Sequence, residues 1–214
     1  MKRLINLVVT LAGLTALTAG ALPGQNLVPN HDFSDKTDPL KEWRYVYPHQ
    51  QQQYGNNQKY ISVTDYNGKH CVMFTVPKSV AENQGAMVET AFIKCEPGAT
   101  YQIEVDCCPN DLAMKIFTEC WTSMPPEIHI KDYLRTWPKT EDRPQLIMCD
   151  RKNSPVNGKS WTTYRDTYTL KKNVTVAGHA DKVPEYISIK AYVYGAGKPV
   201  FKAYVTNFRL TKVK

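Results

Sequence analysis

The sequence lacks the signatures by which many hydrolases and zinc enzymes are recognised. It contains neither a G-x-S-x-G nucleophile elbow nor an H-E-x-x-H helix, and its five histidines are scattered along the chain. Glu127 and His129, two residues apart, would share one face of a strand, but two ligands are too few for a metal site. The sequence therefore argues against these enzyme classes.

Long apolar runs are also missing, except at the N terminus. There, two basic residues precede an acid-free stretch, Leu4–Ala16, and small residues follow at Ala19 to Ala21, the spacing at which signal peptidases cut. Pro23 and Gly24 follow this site and no stop-transfer charges come after them, which disfavours a membrane anchor. We predict a signal peptide over residues 1–21 and a single domain over residues 22–214. The protein would then be secreted, periplasmic or held at the cell surface, with no membrane span.

C-x-x-C spacing is absent as well, which disfavours a zinc site. The six cysteines all follow residue 21, at positions Cys71, Cys95, Cys107, Cys108, Cys120 and Cys149. An even number in an exported chain indicates disulfides. If the strands around residues 71–76 and 87–95 pair antiparallel, Cys71 lies opposite Cys95, and we predict a disulfide between them. Cys149 would then join Cys107, Cys108 or Cys120.

What the sequence has in abundance is the composition of β structure. Thirteen Tyr, four Trp and six Phe, together with 14 Pro and 11 Gly, favour strands and turns over helices. The turn Tyr66-Asn67-Gly68 predicts a hairpin. Alternation predicts further strands over residues 87–95, 101–108, 113–121, 161–170, 186–194 and 200–212. No repeat of 20 to 50 residues is visible, so we expect an antiparallel β-sandwich of the jelly-roll type.

One segment, about residues 122–160, lacks this pattern of alternating strands and turns. It contains five prolines, which exclude a continuous helix or a central strand. Its apolar residues, among them Tyr133, Trp137 and Leu146, are more typical of an ordered insertion than of a disordered tail. We predict one long Pro-rich insertion within the single domain, with Cys149 holding it in place.

Four motifs occur in a fixed order along residues 22–214. They are N-L-V-P-N-H-D-F at Asn26–Phe33 with Trp43 after it, E-P-G-A-T-Y at Glu96–Tyr101, W-T-T-Y at Trp161–Tyr164, and V-F-K-A-Y-V-T-N-F-R-L at Val200–Leu210. Together they resemble the carbohydrate-binding modules of the galactose-binding-like jelly-roll superfamily, especially families 4, 9, 16 and 22. The resemblance implies a jelly-roll fold, a structural role for Trp43 and Trp161, and a polysaccharide or glycan as ligand.

The last motif also predicts a local irregularity. Phe201, Ala203 and Val205 share one parity, whereas Phe208 and Leu210 share the other, so a bulge near residues 206–207 would keep both sets in the core. In the family resembled, paired acids at this point often help to hold a structural calcium ion. Here those acids are absent, and the oxygens that remain for a possible calcium site are those of Asn30, Asp32 and Asn207. No other cofactor is expected.

Sugar recognition uses aromatic planes against the apolar faces of sugar rings, with carboxylates and amides for the hydroxyls. Outward-facing positions on three predicted strands could line one groove, with two loop aromatics at its rim. The predicted ligand-binding residues are Gln102, Glu104 and Asp106, then Glu119 and Trp121, then Lys190, Tyr192 and Tyr194, with Tyr54 and Trp137 from the loops.

The distribution of positive charge indicates whether the expected glycan is acidic or neutral. The chain carries a net charge of +7, and nine of its basic residues lie within residues 171–214. Lys190, Lys198 and Lys202, near the two tyrosines, favour an acidic glycan, whereas lysines that protect strand edges are the alternative explanation. No motif indicates nucleic-acid binding.

The function predicted from the sequence is therefore non-catalytic carbohydrate binding by a secreted protein. Two alternatives stay open at this point. Glu104, Asp106 and Glu119 could supply the carboxylate pair of a glycan-active enzyme. The sandwich could instead be a structural or adhesive surface domain that binds no glycan.

Overall fold

A computed structural model of the chain describes residues 24–45, 57–122, 148–175, 181–195 and 198–214. The predicted signal peptide lies outside these residues. The described strands are β1 Trp43–Arg44, β2 Ile61–Tyr66, β3 Lys69–Pro77, β4 Ala86–Thr90, β5 Ile93–Lys94, β6 Thr100–Cys108, β7 Ala113–Thr122, β8 Met148–Val156, β9 Thr162–Thr169, β10 Pro184–Tyr194 and β11 Val200–Lys212. A 3-10 turn spans Asn57–Tyr60, and one short helix, α1, spans Lys78–Ala81. Within these residues, no helical segment has the length and hydropathy of a membrane span.

The strands form two antiparallel sheets that share one core. Sheet I has the order β1-β4-β10-β7-β8, with β5 also paired to β10, and sheet II has the order β2-β3-β11-β6-β9. The chain crosses between the sheets after β1, β3, β5, β6, β8, β9 and β10, so neighbours in sequence often lie in opposite layers. The predicted all-β, antiparallel jelly-roll sandwich is confirmed.

Strict alternation along the strands builds the core. On β6 in sheet II, Ile103 and Val105 are fully buried, whereas Gln102 and Glu104, which alternate with them, are only partly buried. On β10 in sheet I, the buried set begins with Ile187 and continues at every second residue to Val193. Because successive side chains on a strand point to opposite faces, each sheet presents an apolar inner face and a more polar outer face.

The hairpin predicted from Tyr66-Asn67-Gly68 is confirmed. Tyr66 pairs with Lys69, and β2 and β3 continue in register from there to Ile61 and Phe74. Asn67 and Gly68 have φ values of 48° and 78°, the left-handed conformation that a two-residue hairpin turn requires.

The opening stretch of the domain closes one end of the core. Asn26 pairs with Thr211 on β11, and Phe33 and Trp43 pack around Phe208, with ring centroids of Trp43 and Phe208 4.7 Å apart. The Trp43 indole Nε1 donates a hydrogen bond to the Asn30 carbonyl at 3.0 Å. Trp43 therefore has the structural role that the motif implied.

Trp161 is also a packing residue, but in a second cluster. It is half-buried and packs against Cys71, Cys108 and Tyr204, which form a separate cluster outside the main core. Cys108 has the outward parity of β6, so this cluster lies on the outer face of sheet II. The structural role implied for Trp161 is therefore present, but outside the main core, because Trp161 stands one residue before β9 and packs on the outer side of sheet II.

The sequence pattern predicts an insertion over residues 122–160 and does not predict strand β8, which lies within it. Met148–Val156 pair with β7 and form the edge of sheet I. Pro155 lies within this strand, which an edge position allows because one side of the strand carries no ladder hydrogen bonds. Residues 123–147 lie outside the described residues.

The bulge predicted in β11 is present. The pairing of β11 with β6 shifts register between Thr206 and Arg209, and Asn207 has a φ of 51°. Val205 before the shift and Phe208 after it are both fully buried. The irregularity thus keeps two apolar sets of opposite parity in one core, as the sequence indicated.

This geometry predicts an order of stability for substitutions at the bulge. Asn207→Val should lower the free energy of unfolding more than Asn207→Gly, by about 1–2 kcal/mol, because a β-branched residue is strained at positive φ and glycine is not. Both variants lose the same side-chain hydrogen bond, so their difference isolates the backbone. Urea unfolding measures it, and the same pair at exposed Lys202 on regular β11 should show the reverse order. Equal stabilities of the two Asn207 variants would contradict the account.

Candidate functional site

The outer face of sheet I combines aromatic and charged side chains from two adjacent strands. The register of β7 and β10 places Lys190 opposite Phe117 and Tyr192 opposite Lys115. The outward set consists of Lys115, Phe117, Glu119 and Trp121 on β7 and Tyr186, Ser188, Lys190, Tyr192 and Tyr194 on β10. Two of the three strands predicted to line one groove, β7 and β10, are therefore neighbours in sheet I.

At the centre of this face, a buried ion-pair network holds Glu119. Lys190 Nζ lies 2.6 Å and Arg151 Nε 2.8 Å from the same carboxylate oxygen of Glu119. Glu119 and Lys190 are 1% and 2% exposed, and Lys190 Nζ also lies 4.8 Å from the centre of the Phe117 ring. These two predicted ligand residues are thus engaged with each other and have almost no access to solvent.

A second buried carboxylate, Glu89 on β4, lies in the same layer. Its two oxygens accept hydrogen bonds from Ser188 Oγ at 2.7 Å and from Arg44 Nε at 3.0 Å, and Trp121 Nε1 donates to Ser188 Oγ at 3.0 Å. Burial alone would raise the pKa of Glu89, but Arg44 and Lys190 outweigh it and lower that pKa. The carboxyl therefore stays ionised.

Trp121, another predicted ligand residue, takes part in this layer as a structural group. It is 6% exposed and packs edge-on against Phe92, with ring centroids 5.2 Å apart. Glu89, by contrast, was not among the predicted site residues. Glu89 lies two residues after Met87, on the outward-facing side of β4, and this alternation is the sequence signal that could have identified it.

One end of the same face is open. Tyr192 and Tyr194, the last two outward residues of β10, are half-buried, and their ring centroids lie 5.7 Å apart at 30°. They line a depression of about 520 Å³, together with Ala81, Glu82, Asn83, Ala113, Lys115 and Gly195. We call this depression the tyrosine pocket. Its volume lies within the range of roughly 300–1,000 Å³ that is typical of ligand sites.

The tyrosine pocket is held in shape by its neighbours. Tyr192 Oη donates to the Gln84 carbonyl at 2.7 Å, and the Tyr192 ring meets Phe117 edge-on at 6.2 Å between centroids. Burial, followed by the adjacent Tyr194, raises the pKa of Tyr192, so its hydroxyl keeps the proton that it donates. Lys115 Nζ lies 5.4 Å from the centre of the Tyr194 ring.

Gly85 allows the turn after α1 to approach β10 this closely. A Cβ atom at Gly85 would lie 2.3 Å from the Val193 carbonyl oxygen and 2.9 Å from the Tyr192 ring, and the φ of Gly85 is 64°. Only glycine avoids these clashes and also adopts a positive φ without strain. Sequence reasoning did not identify Gly85, Asn83 or Glu82, because their approach to the tyrosines is a tertiary contact.

Gln102, Glu104 and Asp106 do not join this site. They lie on β6 in sheet II, and their side chains point to the outer face of that sheet, on the opposite side of the sandwich. The predicted three-strand groove is therefore wrong. The physical reason is that alternation assigns a residue to the inner or outer face of its sheet, but does not assign the strand to one of the two sheets.

The acids of β6 are engaged in local pairs of their own. Glu104 accepts hydrogen bonds from Gln102 at 3.1 Å and Arg165 Nε at 2.7 Å, and pairs with Arg209 at 3.2 Å. Since Glu119 lies in the other sheet, the three carboxylates considered for glycan hydrolysis do not come together.

Asp106 is the most buried of the β6 acids, at 7% exposed. Its carboxylate accepts hydrogen bonds from Lys69 Nζ at 2.6 Å, Thr163 Oγ1 at 2.7 Å and Asn207 Nδ2 at 2.8 Å. Burial alone would raise the pKa of Asp106, but these donors outweigh it and lower that pKa. The group links β3, β9 and the bulge of β11.

The residues predicted for calcium have other partners. Asn207 donates to Asp106, and Asn30 Nδ2 donates to the Pro39 carbonyl at 2.8 Å while its Oδ1 accepts from the Asp35 amide at 3.1 Å. Asp32 accepts a hydrogen bond from the Ser34 amide at 3.2 Å. Within the described part of the chain, no group of three or more His, Cys, Asp or Glu side chains is placed to hold a metal ion. A calcium site stays a prediction.

The predicted Cys71–Cys95 disulfide is wrong. Cys71 lies on β3 in sheet II, and Cys95 follows β5 in sheet I, where its amide donates to the Glu185 carbonyl at 2.7 Å. Strands β3 and β4 belong to opposite sheets instead of pairing, so the register that would have placed the two cysteines side by side does not form. No disulfide joins any of the six cysteines in the structure. Tyr54 and Trp137 lie outside the described residues.

Comparison with known proteins finds solved structures of similar fold. No family model and no curated protein matches the sequence. The MgGH51 α-L-arabinofuranosidase, solved with arabinose bound, is 11% identical with a TM-score of 0.51 over 87% of this chain and 26% of that one. The enzymatically active domain of tailspike protein 4 of bacteriophage CBA120 is 11% identical with a TM-score of 0.49 over 88% of this chain and 21% of that one.

A third structure of similar fold is a binding module. The CBM22-1 xylan-binding domain of Paenibacillus barcinonensis Xyn10C is 12% identical with a TM-score of 0.47, over 91% of this chain and 99% of that domain. The chain thus spans nearly all of this module, but only about a quarter or less of the two larger proteins. At these identities the likeness concerns the fold alone. The jelly-roll fold that the four motifs implied is the fold observed.

The buried network predicts a large cost for removing one of its charges. Lys190→Met keeps most of the side-chain volume but deprives Glu119 of its closest cation, so we expect the free energy of unfolding to fall by about 3–5 kcal/mol. Lys202→Met, at an exposed position of β11, is the matched control and should change it by less than about 0.5 kcal/mol. Urea denaturation compares the two. Similar small losses in both variants would show that the network contributes little.

The contacts of Asp106 predict a pH dependence. Because the folded protein lowers the pKa of this carboxyl, its ionised form contributes stability above the unfolded pKa of about 3.9, and this stability is lost as the pH falls through the folded pKa. Asp106→Asn should therefore show a shallower loss of unfolding free energy between about pH 5 and pH 2. Lys69→Met, which removes one donor, should move the loss to higher pH. Identical pH profiles for all three proteins would refute the assignment.

Proposed function

We propose that this chain binds a carbohydrate in the tyrosine pocket of sheet I and does not cleave it. The observation that carries this proposal is the pair Tyr192 and Tyr194, two adjacent half-buried rings at the open end of an otherwise buried polar face. Fold alone does not decide the function, since the same sandwich carries binders, adhesins and spacers. The proposal therefore rests on the chemistry of the pocket.

The pocket has the mixed character that sugars require. A tyrosine ring offers a π face to the C–H groups of a sugar ring, while amide, ammonium and carboxylate groups hydrogen-bond to its hydroxyls. Asn83, Lys115 and Glu82 supply these polar groups at the wall of the pocket. The Tyr192 hydroxyl already donates to the Gln84 carbonyl, and we assign the stacking role to Tyr194, the last outward residue of β10.

A neutral ligand fits this pocket better than the acidic glycan expected from the sequence. Lys190 is buried against Glu119, Lys198 pairs with Asp111, and Lys202 lies on β11 in the other sheet. The three lysines therefore do not converge on the tyrosines. Lys115 and Glu82 contribute opposite charges, so the pocket has no excess of positive charge to attract an anion.

Binding without catalysis agrees with the state of the candidate carboxylates. Glu104, Asp106 and Glu119 each form ion pairs, and they are divided between the two sheets. We extend the proposal to a site of action outside the cytoplasm, which is where the predicted signal peptide would deliver a glycan-binding protein. Tyr54 and Trp137 stay predicted rim residues.

A glycan array that contains neutral and acidic polysaccharides, followed by calorimetry with the strongest hit, tests the proposal. Tyr194→Ala should weaken binding about tenfold or more, because loss of a stacking ring and its buried area costs on the order of 1–2 kcal/mol. Tyr186→Ala is the matched control. It removes a half-buried tyrosine from the same strand and face, about 27 Å away at the usual rise per residue, and should leave the affinity unchanged.

Three outcomes decide between the alternatives. Binding that depends on Tyr194 but not on Tyr186, with little change between low and high salt, supports a neutral glycan in the tyrosine pocket. Cleavage of the bound glycan would favour the enzyme. Absence of any saturable hit, or equal losses in the two variants, would overturn the proposal and favour a structural or adhesive domain.

A further inference from the structure

Two cysteines meet at an irregular point in the pairing of β7 and β8. Cys120 lies opposite Asp150, whereas the next residue of β7, Trp121, lies opposite Met148. Cys149 is therefore the additional residue of a bulge in β8, next to Cys120. In a bulge of this kind, two residues of one strand face a single residue of the other, so Cys149 is brought towards the same partner as Asp150.

The surrounding contacts place both sulfurs on the inner side of sheet I. Cys120 is 1% exposed within the core, and Cys149 is a half-buried residue packed against that core. The hydroxyl of Tyr168, from β9 in the opposite sheet, lies 3.3 Å from Cys120 Sγ and 3.0 Å from Asp150 Oδ2. The Cys120 and Cys149 side chains are also within hydrogen-bonding reach of each other. These thiols thus occupy neighbouring positions on adjacent strands.

We propose that Cys120 and Cys149 are a redox-active pair that forms a disulfide when the protein meets a disulfide oxidant such as glutathione disulfide. The Cys149 thiolate, the more accessible of the two, attacks one sulfur of the oxidant and releases one glutathione thiolate. The Cys120 thiolate then attacks the Cys149 sulfur and releases the second glutathione. Two protein thiols are oxidised, one glutathione disulfide is reduced to two thiols, and two protons leave the protein.

The bond would have a defined structural effect. It would close residues 121–148 into a covalent loop and fasten the edge strand β8 to β7, which already pairs with it. A cross-link between strands that already lie side by side restricts the unfolded chain with little change to the folded one. The inference concerns the fold of sheet I and does not depend on the proposed carbohydrate ligand.

The local environment also predicts how fast the bond forms in the folded protein. Burial, followed by the Cys120 thiol and Asp150, raises the pKa of Cys149 to about 12, with Lys182 acting in the opposite direction. Burial likewise raises the pKa of Cys120, with Asp150 adding to it and Tyr168 and Lys171 opposing it. Since the thiolate is the reactive form, oxidation should be slow at pH 7 and markedly faster at pH 9.

The experiment uses the full chain incubated with glutathione disulfide, then blocked with a thiol alkylating reagent, digested without reduction and analysed by mass spectrometry. We expect one dominant linked peptide pair that contains Cys120 and Cys149. Cys149→Ala should abolish it, whereas Cys95→Ala, a buried cysteine beyond the β7–β8 pair, should retain it. Reduction should also lower the urea midpoint of the oxidised wild type but not that of Cys149→Ala.

The wild-type protein alone is sufficient to overturn the proposal. Recovery of Cys120 and Cys149 as alkylated free thiols after oxidation at pH 9 would do so, and so would a dominant link from Cys149 to Cys107 or Cys108. An unchanged urea midpoint after reduction of a protein that carries the linked peptide would contradict the structural effect.

Discussion

The burial of two carboxylates, Glu89 and Glu119, on the outer face of sheet I is the constraint on which the rest of this face depends. A buried charge must be paired, and each of these acids is held by a cation from a neighbouring strand. The pairing fixes Lys190, Arg44 and the serine and tryptophan hydrogen-bonded beside them. Because these charged groups are buried, a ligand cannot contact them. The two tyrosines at the open end of the face are accessible to a ligand.

The same division into inner and outer faces explains which parts of the fold could be read from the sequence. Alternation in β6 and β10 is regular, and the strand bounds follow it closely because one face of each strand is buried in a common core. The bulge of β11 was predictable for the same reason. Phe208 and Leu210 change parity relative to Val205, and only an additional residue keeps all three inside.

Sheet membership could not be read in this way, and most errors in the predicted site follow from it. Glu104 and Glu119 both face outward on their strands, but β6 and β7 lie in opposite sheets, so the two side chains point away from each other. The solvent exposure of an outward-facing side chain could not be predicted from the strand pattern either. Lys190 faces outward as expected, yet its ammonium group is buried by tertiary packing that a strand pattern does not describe. The cysteine prediction failed for the first of these reasons, since it assumed that β3 pairs with β4.

The central claim is that ligand binding takes place in the tyrosine pocket and not on the outer face of sheet II. The most direct measurement is a nuclear magnetic resonance titration of isotopically labelled protein with the glycan that binds most strongly on the array. The account predicts that the largest amide shifts occur at residues 81–83, 113–115 and 192–195. Shifts centred on residues 102–106 and 163–167, with the tyrosine pocket unchanged, would contradict it.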